Sequence, residues 1–118
     1  MVDPVPYSGV NGTLEALAMG VPVVTLCGRK HCERTSYSIL TNLGVSETVA
    51  HSGSEYVDIA VRLATDATFA AEVRAAVHAG IASSPLTDMR AHTRNLERAY
   101  VKALQQRCPE ALTASGNG

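Results

Sequence analysis

The order of polar and apolar positions resolves the chain into short elements. A small polar turn, Ser8-Gly9 followed by Asn11-Gly12, leads to Thr13, which opens a run with Leu14, Leu17 and Ala18 at helical spacing. Gly20 and Pro22 end that helix. Val21, Val23, Val24 and Leu26 then form an apolar run of the kind found in strands buried on both faces of a parallel sheet. Turn, helix and buried strand make half of a βαβ unit. Thr35 to Leu43 reads as a short helix with Tyr37, Leu40 and Leu43 spaced three apart and Gly44 at its C-terminus. A brief strand is predicted within Val45 to Ala50. Ser52 and Ser54 offer capping hydroxyls to a helix through Ala64 that carries Tyr56, Ile59, Ala60 and Leu63 on one face. Asp66 can cap the next helix, whose stripe of Phe69, Val73, Ala76 or Val77, and Gly80 or Ile81 reads as core packing. Pro85 disfavours helix at Ser84 and breaks the chain there. Asp88 starts a last helix with Leu96, Tyr100, Ala103 and Leu104 along one side.

Both ends fall outside this pattern. Met1 to Pro6 is too short for the strand that should precede the turn, and Pro4 and Pro6 cannot donate to a ladder, so the chain is expected to start inside a domain. Pro109 and the small polar residues Thr113 to Gly118 predict a disordered tail over residues 107–118.

Composition narrows the class. With 118 residues, 46% of them apolar, and a formal net charge of -1, the chain suits one small globular domain. No basic cluster interleaved with aromatics offers a footprint for nucleic acid. No apolar stretch approaches the roughly 18 to 20 residues a bilayer requires, and no signal-like N-terminus is present, so a cytoplasmic protein is expected. Cys27, Cys32 and Cys108 are irregularly spaced, which argues against a disulfide framework. Cys27, His31 and Cys32 converge poorly on one tetrahedral ion, so no metal site is expected. No repeat of 20 to 50 residues is visible.

The chemistry concentrates in the stretch YSGVNGTLEALAMGVPVVTLCG, Tyr7 to Gly28. Free amides at a helix N-terminus, reached through a turn without bulky side chains, can receive a phosphate group. Glu15, expected in the first turn of that helix, is placed to accept ribose hydroxyls or, equally, to act as an ordinary first-turn acid favoured by the helix dipole. The loop Cys27 to Arg34 follows a parallel strand at its carboxyl end, where open α/β sheets bind ligands. Arg29, Lys30 and Arg34 can neutralise a diphosphate and His31 can donate to a phosphate or sugar oxygen; the alternative is a solvated loop with incidental charge.

The chain resembles the C-terminal catalytic region of the SPINDLY and O-linked N-acetylglucosamine transferase family. The resemblance is carried by Pro6-Tyr7 with Gly9, by the acid Glu15, by Ala16-Leu17 with Met19 to Leu26, and by Gly28 with His31 three residues on. It continues in Ile39 to Gly44, in EYVDIAVRLATD from Glu55 to Asp66, in Ser83 to Leu86 and in Leu96-Glu97 with Ala99-Tyr100. It implies an α/β fold: the C-terminal portion of a GT-B, Rossmann-like nucleotide-sugar-binding domain with a helical C-terminal tail, over residues 1–106. It also implies a protein O-glycosyltransferase that takes a nucleotide diphosphate sugar, UDP-GlcNAc or GDP-fucose, and modifies Ser or Thr of proteins without a further cofactor. The implied donor-binding residues are Gly9, Val10, Asn11, Gly12 and Thr13 for the phosphates and Glu15 for the ribose. His31 and Arg34 match positions where the family often carries His and Arg, either touching the donor or ordering the loop.

Two departures stand against full activity. Family members usually place a run of Thr, or His-Thr-Thr, in the turn, where this chain has Val10-Asn11-Gly12-Thr13 and keeps only the Thr13 hydroxyl. The first domain of the expected cleft is absent from the sequence, so the isolated chain is expected to transfer little or no sugar and to need that domain or self-association through the last helix. No general base can be nominated; His51, His78 and His92 read as surface residues. A noncatalytic remnant or interaction module that keeps the fold is the alternative. A dinucleotide oxidoreductase fragment would want Gly-x-Gly-x-x-Gly after an intact strand, and Gly9 with Gly12 satisfies only part of that.

Overall fold

A computed structural model describes residues 1–110. The elements run α1 (Asn11–Ala18), β1 (Thr25–Leu26), α2 (Thr35–Leu43), β2 (Val49–Ala50), α3 (Gly53–Thr65), α4 (Ala67–Ser83) and α5 (Met89–Arg107), with a 3-10 turn at His31–Glu33. The chain parts into two compact units, the first Met1–Thr87 and the second beginning at Asp88.

In the first unit β1 and β2 pair in parallel, Thr25 with Val49 and Leu26 with Ala50. The apolar run from Val21 forms a ladder only in its second half. Val21 is exposed because it follows the turn that ends α1, whereas Val23 and Val24 are fully buried. The N-terminal stretch does more than its length and prolines suggest. Val2 forms a parallel bridge to Val24, with the Asp3 amide donating to the Val24 carbonyl and the Val24 amide to that of Met1, each at 3.0 Å. Pro4 and Pro6 lie beyond the bridge and withdraw no donor from it.

Two glycines terminate helices where periodicity places them. Gly20 has φ of 74°, its amide donates to Leu17 and the next amide, Val21, donates to Ala16. Gly44, at φ of 76°, is followed by the same pair of bonds, to Thr41 and Leu40. Both are left-handed C-terminal caps that a side chain would strain. Ser52 and Asp66 cap α3 and α4 through bonds to the amides of Glu55 and Phe69.

The core lies between the sheet and the helices. Leu17 of α1, Val23, the α2 residues Ile39, Leu40 and Leu43, Val45, Val49 and the α4 stripe Phe69, Val73 and Val77 form one buried cluster. Gly80 completes the α4 stripe by letting that helix touch the end of α2: a Cβ there would stand 2.3 Å from the Leu43 carbonyl oxygen. The Thr48 hydroxyl is fully buried and has no hydrogen-bond partner among the described residues.

In the second unit, Asp88 caps α5 by accepting the Ala91 amide at 3.0 Å. Leu96, Tyr100 and Leu104, predicted to share a side, are all exposed. The helix closes at Arg107 with Cys108 as its C-cap. The predicted tail of small polar residues, Thr113 to Gly118, lies outside the described residues. Among the described residues no helix is long and apolar enough to cross a membrane.

Candidate functional site

The turn ahead of α1 is held by three other parts of the first unit. Asp3, only 1% exposed, accepts the Gly9 amide on Oδ1 at 2.9 Å and the Thr25 hydroxyl on Oδ2 at 2.8 Å. Its backbone carbonyl accepts the Tyr56 hydroxyl from α3 at 2.6 Å. Burial, then the neighbouring Asp3 charge, pushes the Tyr56 phenol above its ordinary pKa. Ser8 ties the turn to the start of α2: its amide donates to Cys32 at 2.8 Å, its Oγ pairs with the Thr35 hydroxyl, and Oγ also accepts the Thr35 amide at 3.1 Å. Ser8 therefore satisfies one of the free amides of α2 from a distant part of the chain.

So anchored, the turn delivers α1 two residues earlier than apolar spacing predicts, because Asn11 and Gly12 already belong to the helix. Val10 occupies the cap position and has no side-chain acceptor, and the first intrahelical bond runs from the Leu14 amide to Val10 at 3.0 Å. No acceptor among the described residues takes the amides of Asn11, Gly12 or Thr13. The helix thus opens with unmet donors and the positive end of its dipole.

The earlier start alters two of the candidate donor-binding residues. Glu15 lies in the second turn, not the first, exposed and four residues beyond Asn11 on the same face. Thr13 is fully buried; its hydroxyl lies 2.8 Å from Ser36 Oγ and 3.1 Å from the Gly9 carbonyl, which Ser36 Oγ reaches at 2.8 Å, so the two hydroxyl protons serve three contacts. The one hydroxyl of the run Val10 to Thr13 is therefore spent on holding α1 against α2.

His31 and Arg34 come together with Val10 along one wall of a cleft of about 610 Å³ that follows α2 through Thr35, Tyr37 and Ser38. His31 is exposed. Arg34 is fixed: Nη1 donates to the Gly28 carbonyl at 2.8 Å, and the guanidinium stacks 4.8 Å from the Tyr37 ring centroid. Loop ordering and cleft lining are thus combined in one side chain. Gly9 is bonded inward, and the exposed Glu15 stands away from the cleft walls.

A second cleft, about 640 Å³, opens at the carboxyl ends of β1 and β2, the end of a parallel sheet where ligands bind. Arg29, Lys30, Arg34 and His51 line it, together with Gly53 at the start of α3. Glu33 Oε2 accepts the amides of Arg29 and Lys30, each at 3.0 Å. Those bonds, Lys30's before Arg29's, with help from the Lys30 charge, hold the Glu33 carboxyl below its ordinary pKa.

His51, His78 and His92 are exposed, as their positions predict. Cys27, Cys32 and Cys108 are free thiols. Among the described residues no three His, Cys, Asp or Glu side chains gather as metal ligands would. Asp3, Tyr56, Thr35 and Ser36 also carry the turn, and sequence reasoning does not single them out as site residues. Asp3-Pro4 is a local signal for the first; the others act across 27 to 53 residues of sequence, where periodicity gives no cue.

The chain is similar to known proteins along most of its length. The pattern of Glycosyl transferase family 41 matches residues 3–96. A probable UDP-N-acetylglucosamine--peptide N-acetylglucosaminyltransferase SPINDLY of Oryza sativa subsp. japonica is 40% identical over 107 residues, 91% of this chain and 12% of the relative. The UDP-N-acetylglucosamine--peptide N-acetylglucosaminyltransferase of Caenorhabditis elegans is 40% identical over 90 residues, covering 76% of this chain and 8% of its own length. A solved mutant of the Thermobaculum terrenum O-GlcNAc transferase superposes with a TM-score of 0.84 at 38% identity, over 93% of this chain and 21% of that one. The chain thus spans about a tenth of these curated relatives and a fifth of the solved protein. The expected α/β fold, a C-terminal portion of a GT-B domain, is borne out.

Proposed function

The chain belongs to glycosyl transferase family 41, and from that premise we propose that it forms the donor-phosphate-binding part of a protein O-glycosyltransferase. The donor is a nucleotide diphosphate sugar, UDP-GlcNAc or GDP-fucose, and the acceptor a Ser or Thr hydroxyl of a protein. The observation that carries this reading is the open N-terminus of α1, where the amides of Asn11, Gly12 and Thr13 meet no acceptor among the described residues and Val10 supplies no cap.

Sugar transfer from such a donor leaves a diphosphate whose charge must be stabilised as the glycosidic bond to phosphate breaks. The amides of Asn11 and Gly12 are aimed to receive its oxygens, with the α1 dipole adding to their pull. Glu15, one helical turn of about 5.4 Å beyond Asn11 on the same face, is at a suitable separation to accept ribose hydroxyls. His31 and Arg34 border the same turn from the α2 cleft and supply further donors. The acceptor side and the partner domain are contributed by other residues, and self-association through α5 is the alternative source of a covering surface.

A second reading, an interaction module that keeps the fold without transferring sugar, is favoured by the burial of the Thr13 hydroxyl, which leaves no side-chain hydroxyl of Val10 to Thr13 facing out. Calorimetric titration of the chain with uridine and guanosine diphosphates, with Glu15→Ala alongside, separates the two. Binding of one nucleotide, weakened by the substitution, supports the donor reading; no binding of either by the folded chain supports the second.

A further inference from the structure

The side chains of Thr13 and Ser36 are both fully buried, yet their hydroxyls act on the peptide from which α1 begins. Ser36 Oγ reaches the Gly9 carbonyl at 2.8 Å and Thr13 Oγ1 reaches it at 3.1 Å, while the two hydroxyls stand 2.8 Å from each other. Two protons cannot fill three contacts. Whichever hydroxyl donates to the other, the second is left to donate to Gly9, so the carbonyl is held inward in every arrangement. The Gly9 amide is held as well, by Asp3 at 2.9 Å, and the peptides on both sides of that residue are thereby fixed. The Gly9-Val10 peptide is trans, and in a planar trans peptide N–H and C=O point in opposite directions. A carbonyl drawn into the seam between α1 and α2 therefore turns the Val10 amide out of it. That amide has no acceptor among the described residues, and Val10 is already close to helical at φ of -109° and ψ of -63°. Its N–H joins those of Asn11 and Gly12 at the open end of the helix.

We propose, on the donor reading of the α1 opening, that Ser36 and Thr13 are positioning residues for the diphosphate and that the Val10 amide they orient is a further donor to it. Neither hydroxyl touches the ligand. Each acts through the Gly9 carbonyl, on the far side of the peptide whose N–H the phosphate oxygen meets. A carbonyl bonded in this way is also polarised, which strengthens the amide conjugated with it as a donor. The arrangement is redundant, because either hydroxyl alone can hold the carbonyl. Loss of one is answered by the other. Loss of both leaves the carbonyl unpaired in the seam, free to turn its peptide toward water and to take the Val10 amide with it.

The test is titration of the full chain with inorganic diphosphate, followed by amide chemical shifts and by calorimetry. The proteins are the native sequence, Ser36→Ala, Thr13→Val, the double variant Ser36→Ala/Thr13→Val, and Ser36→Ala/Thr13→Ser. In the native chain the Val10 amide should shift together with those of Asn11 and Gly12. Each single variant should keep its affinity within about twofold, whereas Ser36→Ala/Thr13→Val should lose about tenfold and the Val10 shift with it. Ser36→Ala/Thr13→Ser, which retains one hydroxyl, should bind as the single variants do. A strut that served stability alone would lower the thermal midpoint of Ser36→Ala/Thr13→Val and leave its diphosphate affinity at the native level, and that outcome overturns the proposal. So does a Val10 amide unmoved by diphosphate in the native chain while Asn11 and Gly12 respond, a result that requires no variant to fold. Failure of the donor reading looks different: no shift at Asn11 or Gly12 in the native chain, and the positioning role falls with it.

Discussion

The carboxylate of Asp3 holds the amide of Gly9 at 2.9 Å, and through that bond the N-terminal stretch bridged to Val24 fixes the turn from which α1 starts. Its other oxygen is occupied by the Thr25 hydroxyl, so the pair sits in a fully satisfied buried network. Asp3→Ala strands both donors and is expected to destabilise the first unit by about 2–4 kcal/mol. Asp3→Asn keeps the shape but turns an N–H toward one donor, at a loss of about 1–2 kcal/mol. Urea unfolding followed by circular dichroism checks both; equal midpoints for native and Asp3→Asn protein would contradict the assignment.

Tyr56 makes stability depend on pH at the alkaline end. Its folded pKa is raised above the ordinary value of 10.0, so the folded state retains the phenolic proton longer than the unfolded chain. The associated stability is fully present below about pH 10 and is lost as pH rises through the folded pKa. Tyr56→Phe should remove this decline and, at neutral pH, the hydrogen bond to Asp3, worth about 1 kcal/mol. Urea midpoints between pH 8 and 11 for the two proteins should converge as pH rises; parallel curves would refute the linkage.

Gly80 and Gly20 are both intolerant of a side chain, for different reasons. At Gly80 an added methyl meets the Leu43 carbonyl, backbone that cannot yield without moving α4 off α2. At Gly20 it meets the imidazole of His78 at 2.6 Å, which can swing aside, leaving the strain of φ 74°. Gly80→Ala should cost about 2–3 kcal/mol. Gly20→Ala should cost about 1–2 kcal/mol, part of it recovered by adding His78→Ala. Thermal midpoints of the single and double variants check this; a double mutant no more stable than Gly20→Ala would show that the imidazole plays no part.

Thr48→Val is expected to stabilise the chain by about 1 kcal/mol, because the hydroxyl it removes is buried without a partner among the described residues. An unchanged or lowered thermal midpoint would show that the hydroxyl is satisfied in solution.

The opening of α1 can take a further hydroxyl. A Cβ at Gly12 meets nothing within 4 Å, so Gly12→Thr adds a hydroxyl beside the free amides without a clash. Nucleoside diphosphate binding should tighten by about three- to tenfold, read by calorimetry. Weaker binding would mean that the ligand approaches the amides across the space the new side chain fills.

The helices are legible in the sequence because their cues are local. Ser52 and Asp66 announce caps, Gly44 and Gly20 announce ends, and the Phe69 to Gly80 stripe announces the buried face of α4. The limits of α1 and β1 are less so. Asn11 and Gly12 are poor helix formers that enter α1 because Asp3 and Ser8 clamp the turn before them, and Val21 lies between the turn that ends α1 and the strand, outside the ladder despite its apolar side chain. In the site, the order of glycines around Val10 is readable, but the fate of the Thr13 hydroxyl is decided by Ser36, 23 residues away. The pairing of Glu33 with the Arg29 and Lys30 amides depends on a 3-10 turn that no hydrophobic period marks.

Ser8 carries more of its joint with α2 than Thr35 does: its Oγ accepts the Thr35 amide, pairs with the Thr35 hydroxyl and reaches the Cys32 carbonyl at 3.0 Å. Alanine at Thr35 leaves Ser8 its bonds to the Cys32 carbonyl and the Thr35 amide, whereas alanine at Ser8 leaves that amide without its acceptor in a half-buried seam. Lineages that vary this joint should therefore change Thr35 more freely than Ser8, and the two alignment columns should carry unequal histories.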